Sequence, residues 1–251
     1  ADIRRMGLRV RDLSVSELGG VKTIAADGSL SAQKISVSLG GRYVLNDISF
    51  QASRGEIIAI AGANGAGKST LARMLCGLQK NGSGTVLWDG KPMSRRLRRK
   101  KAYMVMQDVG HQLFTDSVAA ECALGIKAPN KDEIDRALEK VDLLAYKERH
   151  PLSLSGGQMQ RLAVVVSDIC GKELLVFDEP TSGLDLKSME EVGTLTRSLA
   201  TQGKVLLIIT HDIEFMMRIC TRILFIRDGE IAEELSGGQK EKIVRLLRGE
   251  E

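Results

Sequence analysis

The chain has 251 residues, 43% of them hydrophobic and 27% charged, which is the balance of an ordinary globular protein with a sizeable core. The net charge of +4 is too small to favour a nucleic-acid partner, and no run approaches the roughly 20 apolar residues of a membrane span. Its 4 cysteines form no C-x-x-C pair, so we expect buried free thiols in a reducing compartment.

The N-terminal region begins with Ala1 rather than Met and shows no signal peptide, so we expect one domain of a longer polypeptide. Short alternating strands are predicted at residues 8–11, 35–39 and 48–50. Between the first two lies the polar stretch 16–33, in which Asp27-Gly28 is a turn signal. We predict a small edge hairpin there, with no indicated function.

A glycine-rich stretch at residues 62–69 fits the pattern G-x-x-x-x-G-K-[ST]. The apolar run 57–61 precedes it and predicts a buried strand. A helical pattern follows it, and Gly77 lies near the predicted helix end. The apolar positions of this helix are Leu71, Met74, Leu75 and Leu78. Strand, glycine loop and helix therefore stand in the order that a phosphate-binding loop requires.

This loop predicts a site for ATP and Mg²⁺. A strand that turns through glycines into a helix directs backbone N–H groups and the positive end of the helix dipole at one point. Lys68 would reach the β- and γ-phosphates, and the Ser69 hydroxyl would coordinate Mg²⁺. The predicted nucleotide-binding residues of the loop are Gly62, Asn64, Gly65, Ala66, Gly67, Lys68, Ser69 and Thr70.

From Tyr103 onward strands and helices alternate, with fully apolar strands predicted at 174–177 and 205–209, which indicates a parallel α/β sheet. Asp178 and Glu179 follow the first of these strands. Asp178 is placed to hold Mg²⁺, and Glu179 can polarise the water that attacks the γ-phosphate. Two acidic residues at the end of a strand can also simply face solvent where the chain leaves the sheet. The presence of the phosphate loop favours the catalytic interpretation.

Residues 108–165 interrupt the alternation and predict a helical lobe inserted into the α/β core. Near its end, residues 154–158 read Leu-Ser-Gly-Gly-Gln. Ser155 is a predicted helix N-cap, and the glycines leave backbone N–H groups uncovered. The sequence thus predicts a second helix terminus suited to an anion.

The pentapeptide LSGGQ is the signature of the ATP-binding-cassette (ABC) ATPases, and nearly the whole chain resembles that family. By this resemblance Tyr43 stacks on adenine and Gln107, the Q-loop glutamine, contacts Mg²⁺ and water. His211 is similar to the switch histidine that contacts the γ-phosphate. The run from Ser182 to Asp185 resembles the D-loop.

The resemblance implies one ABC ATPase domain over residues 1–251: a P-loop NTPase core of mostly parallel sheet with helices, an N-terminal antiparallel β subdomain and an inserted α-helical subdomain. The core and β lobe would occupy 1–107 and 166–251, and the helical lobe 108–165. Glu179, His211 and Gln107 would act in hydrolysis. Each ATP would lie between one phosphate loop and the signature of a second ABC ATPase domain, in a homo- or heterodimer. The implied signature contacts are Ser155, Gly156, Gly157 and Gln158, with Asp185 of the D-loop.

The fold alone does not identify the work that hydrolysis drives. A transporter motor, a ribosome-associated translation factor and a DNA-repair or chromosome-organising ATPase are the three hypotheses. No heptad run is present, which disfavours the third hypothesis. Translation factors of this family usually carry two cassettes, so the single cassette disfavours the second hypothesis, but the start at Ala1 leaves one cassette of such a factor open. We expect a motor at the cytoplasmic face of the cell membrane that acts on separate membrane subunits, without a nucleic-acid partner.

The run from Gln112 to Phe114, Gln-Leu-Phe, resembles the energy-coupling-factor (ECF) importers, which take up vitamins and transition-metal ions. The resemblance implies that Gln112, Leu113 and Phe114 dock the integral membrane subunits. Residues 109–111 depart from the proline-containing stretch of many relatives. A cassette of another ABC importer or exporter, and the second cassette of a fused tandem ATPase, therefore remain open. In the architecture that the resemblance implies, the transported solute never touches the ATPase. The sequence of the ATPase therefore identifies neither the solute nor the direction of transport.

Two features lie outside these motifs. A second LSGGQ at residues 235–239 is followed by no buried strand with acidic residues, and we predict that it caps a tail helix. Residues 94–101 form the strongest basic run. We predict a solvated helical turn there rather than a patch for lipid headgroups or nucleic acid.

Overall fold

A computed structural model describes residues 29–236, together with residues 239, 242 and 245. The predicted strand at 8–11 and the turn at Asp27-Gly28 lie outside the described residues. The strands and helices, in chain order, are β1 (Leu30–Leu39), β2 (Arg42–Ala52), β3 (Ile57–Ala61), α1 (Lys68–Leu75), β4 (Ser83–Trp88), β5 (Lys91–Pro92), α2 (Arg95–Lys101), β6 (Ala102–Val105), α3 (Val118–Ala123), α4 (Lys131–Glu139), α5 (Gly156–Ile169), β7 (Leu174–Asp178), α6 (Leu186–Thr201), β8 (Val205–Ile209), α7 (Ile213–Ile219), β9 (Arg222–Arg227) and β10 (Glu230–Ser236).

These strands form two sheets. The four-stranded sheet has the order β2-β1-β4-β5 and is antiparallel. The six-stranded sheet has the order β10-β9-β3-β8-β7-β6, in which β10 is antiparallel and the other pairs are parallel. The predicted fold class, a mostly parallel α/β core with an antiparallel β subdomain, is confirmed.

The six-stranded sheet is covered on both faces, because alternate residues of its central strands enter two hydrophobic clusters. Ile57 and Ala59 of β3 pack with side chains of α5, α6 and α7. Ile58 and Ile60 pack with α1 and with the antiparallel sheet. The strands β3, β7 and β8 are therefore fixed between two layers. Because they are parallel, their carboxyl ends lie at one edge of the sheet.

The helical lobe contains α3, α4 and the beginning of α5, and Ile134 and Leu138 of α4 join the same cluster as Leu162 of α5. Helix α5 continues to Ile169, so the predicted lobe boundary at residue 165 falls within a continuous helix. The four cysteines are free thiols, as predicted. Among the described residues, no helix has both the length and the apolar character needed to cross a bilayer.

Two local predictions are corrected by the structure. Residues 30–33, predicted as part of an edge hairpin, begin the ten-residue strand β1, which lies between β2 and β4. The buried side chains of Leu30 and Ala32 continue the alternation into this sheet. Helix α1 ends before Gly77, where φ is +72°, so Leu78 lies beyond the helix and is 52% exposed rather than packed on its apolar face.

Candidate functional site

The glycine loop between β3 and α1 turns through backbone conformations that favour glycine. Gly62 has φ +143°, and a Cβ atom there would lie 2.1 Å from the carbonyl oxygen of Ile226. Gly67 has φ +104°, and its Cβ would lie 2.6 Å from the carbonyl oxygen of Val44. The loop therefore approaches β9 and β2 more closely than any side chain permits.

The Gly62→Ala variant tests this close approach. We expect it to lower the free energy of unfolding by about 2 kcal/mol or more, since the methyl group meets a backbone carbonyl. The Gly65→Ala variant is the matched control, because its φ of +84° is similarly left-handed but its Cβ meets nothing within 4 Å. Urea unfolding measures both, and an equal loss in the two variants would contradict the close approach as the cause.

Lys68 is the first residue of α1 and is buried. Its Nζ donates hydrogen bonds to the carbonyl oxygens of Gly62, at 2.8 Å, and Ala63, at 2.9 Å. Burial lowers the pKa of Lys68, while the charges of Glu179 and Asp178 oppose that shift. The ammonium group thus crosses the loop, where an anionic oxygen would be a stronger partner than either carbonyl.

A cavity of about 450 Å³ opens in front of this loop. It brings together residues that stand far apart in the sequence. The lining residues are Val44, Asn64, Gly65, Gly67, Lys68, Ser69, Thr70, Gln107, Asp178, Glu179, Ile209 and His211. Most of the predicted phosphate, metal and hydrolysis residues therefore face one space, and the sequence did not indicate Val44 or Ile209. Ile209 ends the predicted strand 205–209 and Val44 follows Tyr43, and neither carries a chemical signal.

The acids at the end of β7 lie beside His211 because β7 and β8 are neighbouring parallel strands. His211 Nε2 is 2.8 Å from Glu179 Oε1. Glu179 has φ +51°, and its backbone N–H donates to the carbonyl oxygen of Ile209 at 2.8 Å. This turn aims the carboxylate at the cavity, next to an imidazole that can orient it.

The candidate Mg²⁺ ligands are oxygen donors, which suit a hard cation. Burial raises the pKa of Asp178; a hydrogen bond with Ser69 lowers it and the charge of Glu179 raises it. A cation beside Asp178 would reverse the shift that burial causes. Within the part of the chain that the structure describes, no three His, Cys, Asp or Glu side chains cluster as a metal site.

The signature residues form the N-terminus of α5. Ser155 Oγ accepts a hydrogen bond from the backbone N–H of Gln158 at 3.3 Å, and Gln158 Oε1 accepts from the N–H of Ser155 at 2.9 Å. This reciprocal capping box confirms the predicted N-cap. Ser155 and Gly156 are exposed, and residues 155–158 do not line the cavity of their own chain.

Helix α6, which follows the D-loop run, lies directly against the signature helix. A Cβ atom on Gly157 would lie 2.7 Å from Ser188 Oγ, so the backbone of α5 approaches the Ser188 side chain of α6 closely. Asp185 caps α6, since its Oδ1 accepts from the N–H of Ser188 at 2.7 Å. Asp185 does not line the cavity either. The two motifs are thus joined to each other and separated from the phosphate loop.

Tyr43 and the predicted docking residues have contrasting environments. Tyr43 lies on β2 with 72% of its surface exposed and does not line the cavity, although the next residue, Val44, does. The side chain of Gln112 is bound to the backbone near the end of β6, where Nε2 donates to Met104 and Oε1 accepts from Met106.

Leu113 is 1% exposed and belongs to the core, so the prediction that it meets a partner is corrected. Two adjacent apolar residues in a sequence do not show which side chain points inward. Phe114 is 69% exposed and is the accessible member of the run.

The second pentapeptide begins within the last strand of the sheet. Leu235 is buried at the end of β10, and the N–H of Ser236 donates to Gln239 Oε1 at 3.2 Å. This bond matches the one from Ser155 to Gln158 and is compatible with a cap. Gly237 and Gly238 lie outside the described residues.

Comparisons with known proteins agree with this geometry. The family described as "ABC transporter" matches residues 45–182. A putative ABC transporter ATP-binding protein of Treponema denticola is 54% identical over 98% of this chain and 52% of its own length. The chain therefore spans about half of that relative. Another, PH0132 of Pyrococcus horikoshii, is 37% identical over 83% of this chain and 83% of its own.

Solved structures share the fold. One is cbiO1 from Clostridium perfringens, described as part of the ABC transporter complex cbiONQ, with a TM-score of 0.75 and 29% identity over 89% of this chain and 95% of that one. A bacterial Atm1-family ABC exporter with ATP bound has a TM-score of 0.77 and 24% identity over 94% of this chain and 44% of that one. The chain belongs to the ABC transporter family, as an ATP-binding ATPase domain.

Proposed function

We propose that this chain is the ATP-hydrolysing motor of an ECF-type importer for a vitamin or a metal ion. The observation that carries the proposal is the loop after β6, which begins at Gln107 in the cavity and presents Phe114 to solvent. This loop carries the Gln-Leu-Phe run that resembles the ECF importers. The similarity to cbiO1, part of a transporter complex, supports a motor that works with other subunits.

In the proposed reaction the triphosphate lies along the glycine loop, with Lys68 on the β- and γ-phosphates. Glu179 accepts a proton from the attacking water, and His211, 2.8 Å away, orients that carboxylate and contacts the γ-phosphate. Bound Mg²⁺ would neutralise phosphate charge, with Ser69, Gln107 and Asp178 around it. The remaining ligand contacts come from backbone N–H groups at the start of α1.

The second half of each ATP site would come from another ABC cassette, either a second copy or a different chain. The exposure of Ser155 and Gly156, away from the cavity of their own chain, supports this arrangement. ATP would then be part of the interface, so that binding closes the dimer and hydrolysis opens it. Tyr43 would stack on the adenine from its exposed position on β2.

The chain would act at the cytoplasmic face of the membrane, bound to integral membrane subunits near Phe114. About half of the Treponema denticola relative lies outside the matched region, which supports one cassette of a tandem ATPase. A motor of another ABC importer or exporter is the alternative. The likeness to the Atm1-family exporter, at 24% identity, extends to the fold alone and does not favour export.

A pull-down from native membranes in the presence of ATP tests this proposal. We expect the chain to recover a multispanning coupling protein and a small, interchangeable solute-binding membrane protein. The Phe114→Asp variant should lose both, because a carboxylate replaces the exposed ring, whereas Leu39→Asp changes an exposed leucine elsewhere and should retain them. Recovery of ribosomes or of one large permease would contradict the ECF proposal, and unchanged recovery by Phe114→Asp would contradict the docking site.

A further inference from the structure

The C-terminal end of α1, the helix that follows the glycine loop, is closed by a compact turn. Leu78 N–H donates to the carbonyl of Arg73 at 2.8 Å, and Gly77 N–H donates to that of Met74 at 3.1 Å, which is the Schellman pattern. A Cβ atom on Gly77 would lie 2.5 Å from the carbonyl oxygen of Arg95. The basic helix α2 therefore contacts the end of α1 at backbone distance.

Two arginines of α2 bind carbonyl oxygens at that end. Arg98 Nη1 donates to Met74, and Arg95 Nε donates to Gly77 at 3.2 Å. A guanidinium at a helix C-terminus complements the negative end of the helix dipole. Arg98 is 8% exposed, which corrects the prediction that the whole basic run is solvated.

The burial of Arg98 is costly, because its Nε has no hydrogen-bond partner among the described residues. Burial and the charge of Arg95 lower the pKa of Arg98. A surface helix that only needed solubility would not bury this guanidinium. In this buried position the Arg98 guanidinium reaches the carbonyl oxygen of Met74 at the end of α1.

The other end of α2 is attached to β7. Glu173 N–H donates to the carbonyl of Lys101 at 2.9 Å, and the Lys101 ammonium pairs with the Glu173 carboxylate. Lys172 Nζ donates to the carbonyl of Lys100 at 2.9 Å. Helix α2 also continues directly into β6, the strand that leads to Gln107. It thus contacts the end of α1, the start of β6 and the residues that precede β7, and the opposite ends of these elements lead to Lys68, Gln107 and Asp178 in the cavity.

We propose that α2 braces the ATP site from behind and that Arg98 is the positioning residue for the glycine loop. This inference rests on the ATP site proposed above. Helix α1 has 8 residues and spans about 12 Å at 1.5 Å per residue, so Arg98 holds the end opposite the nucleotide. Because a short helix moves as a rigid unit, fixing its C-terminal end fixes the direction of its N-terminal N–H groups and of Lys68.

The test compares full-length chains that carry Arg98→Met, Arg98→Lys and Arg96→Met. Arg98→Met keeps the length of the side chain but removes the hydrogen bond, and we expect the Kd and KM for ATP to rise about tenfold, with kcat changing less. Arg98→Lys retains a charged donor and should restore part of the affinity. Arg96→Met removes the same charge from an exposed position of α2 and should match the wild type.

The outcomes separate this inference from the proposed ATP site. If Lys68→Ala binds ATP as well as the wild type does, the ATP site itself is wrong. If Lys68→Ala loses ATP while Arg98→Met keeps the wild-type Kd and KM with only a lower Tm, Arg98 is merely structural and the brace is overturned. Should Arg98→Met fail to fold, the Kd for ATP of the Arg98→Lys variant is compared with that of the Arg96→Lys variant. We expect a higher Kd for Arg98→Lys, and equal values would contradict the brace.

Discussion

Replacing Glu179 with glutamine is expected to lower kcat for ATP hydrolysis by about 10²–10⁴-fold, the range for loss of a general base. Glutamine has the same shape but cannot accept the proton of the attacking water. The contacts that bind the triphosphate come from the glycine loop and Lys68, so ATP should remain bound. Because the bound ATP is not hydrolysed, the ATP-bound dimer of two cassettes should accumulate. Gel filtration with saturating ATP should then show a dimer.

The control for this variant is Glu190→Gln, which makes the same chemical change on the surface of α6. Glu190 pairs with Arg218 outside the cavity, so the kcat of the Glu190→Gln variant should equal that of the wild type. Unchanged hydrolysis in Glu179→Gln would remove Glu179 from the reaction. A Glu179→Gln chain that stays monomeric with saturating ATP would contradict the proposed dimer with ATP at its interface. The role of Glu179 in hydrolysis would be unaffected by that result.

The phosphate loop could be predicted because its structure depends on local sequence. A buried strand, three glycines with positive φ and a helix follow one another within a short stretch, and each imposes its own geometry. The approach of His211 to Glu179 is not local. It results from the topology of the sheet, since the neighbouring parallel strands β7 and β8 end at the same edge.

What the sequence could not show is which side chains tertiary contacts bury. Leu113 and Phe114 are neighbouring apolar residues, yet one is in the core and the other faces solvent. Arg98 lies in a run of charged residues that would suit water equally well, and only the end of α1 explains its burial. Helix α5 likewise crosses the predicted lobe boundary because its apolar face serves both lobes.

The electrostatics of the cavity also depend on three-dimensional contacts. Burial lowers the pKa of Lys68 and raises that of Asp178, so it disfavours the charged form of both groups. A phosphate beside Lys68 and a divalent cation beside Asp178 would each favour the charged form. A nucleotide with its metal would supply both of these charges.

The two LSGGQ pentapeptides provide a test of which one acts on ATP. We expect Ser155→Arg to abolish ATP hydrolysis, because a long cation replaces the exposed hydroxyl at the start of α5, where the ATP of the second cassette would lie. Ser236→Arg makes the same change at the end of β10 and should leave hydrolysis unchanged. At both positions the serine N–H donates to the side-chain oxygen of the glutamine three residues on, so the two positions share this hydrogen bond. Equal losses of kcat would assign a role to the second copy.

Mixing two inactive chains then determines whether the signature acts on its own cavity or on that of a partner. A Ser155→Arg chain has an intact phosphate loop, and a Lys68→Ala chain has an intact signature. If the signature acts across the interface of a homodimer, the mixed dimer contains one complete site, and part of the hydrolysis should return on mixing. If each chain used its own signature, neither site would be complete and no activity would return, so recovery of hydrolysis would show that the signature acts in trans between two copies of this chain.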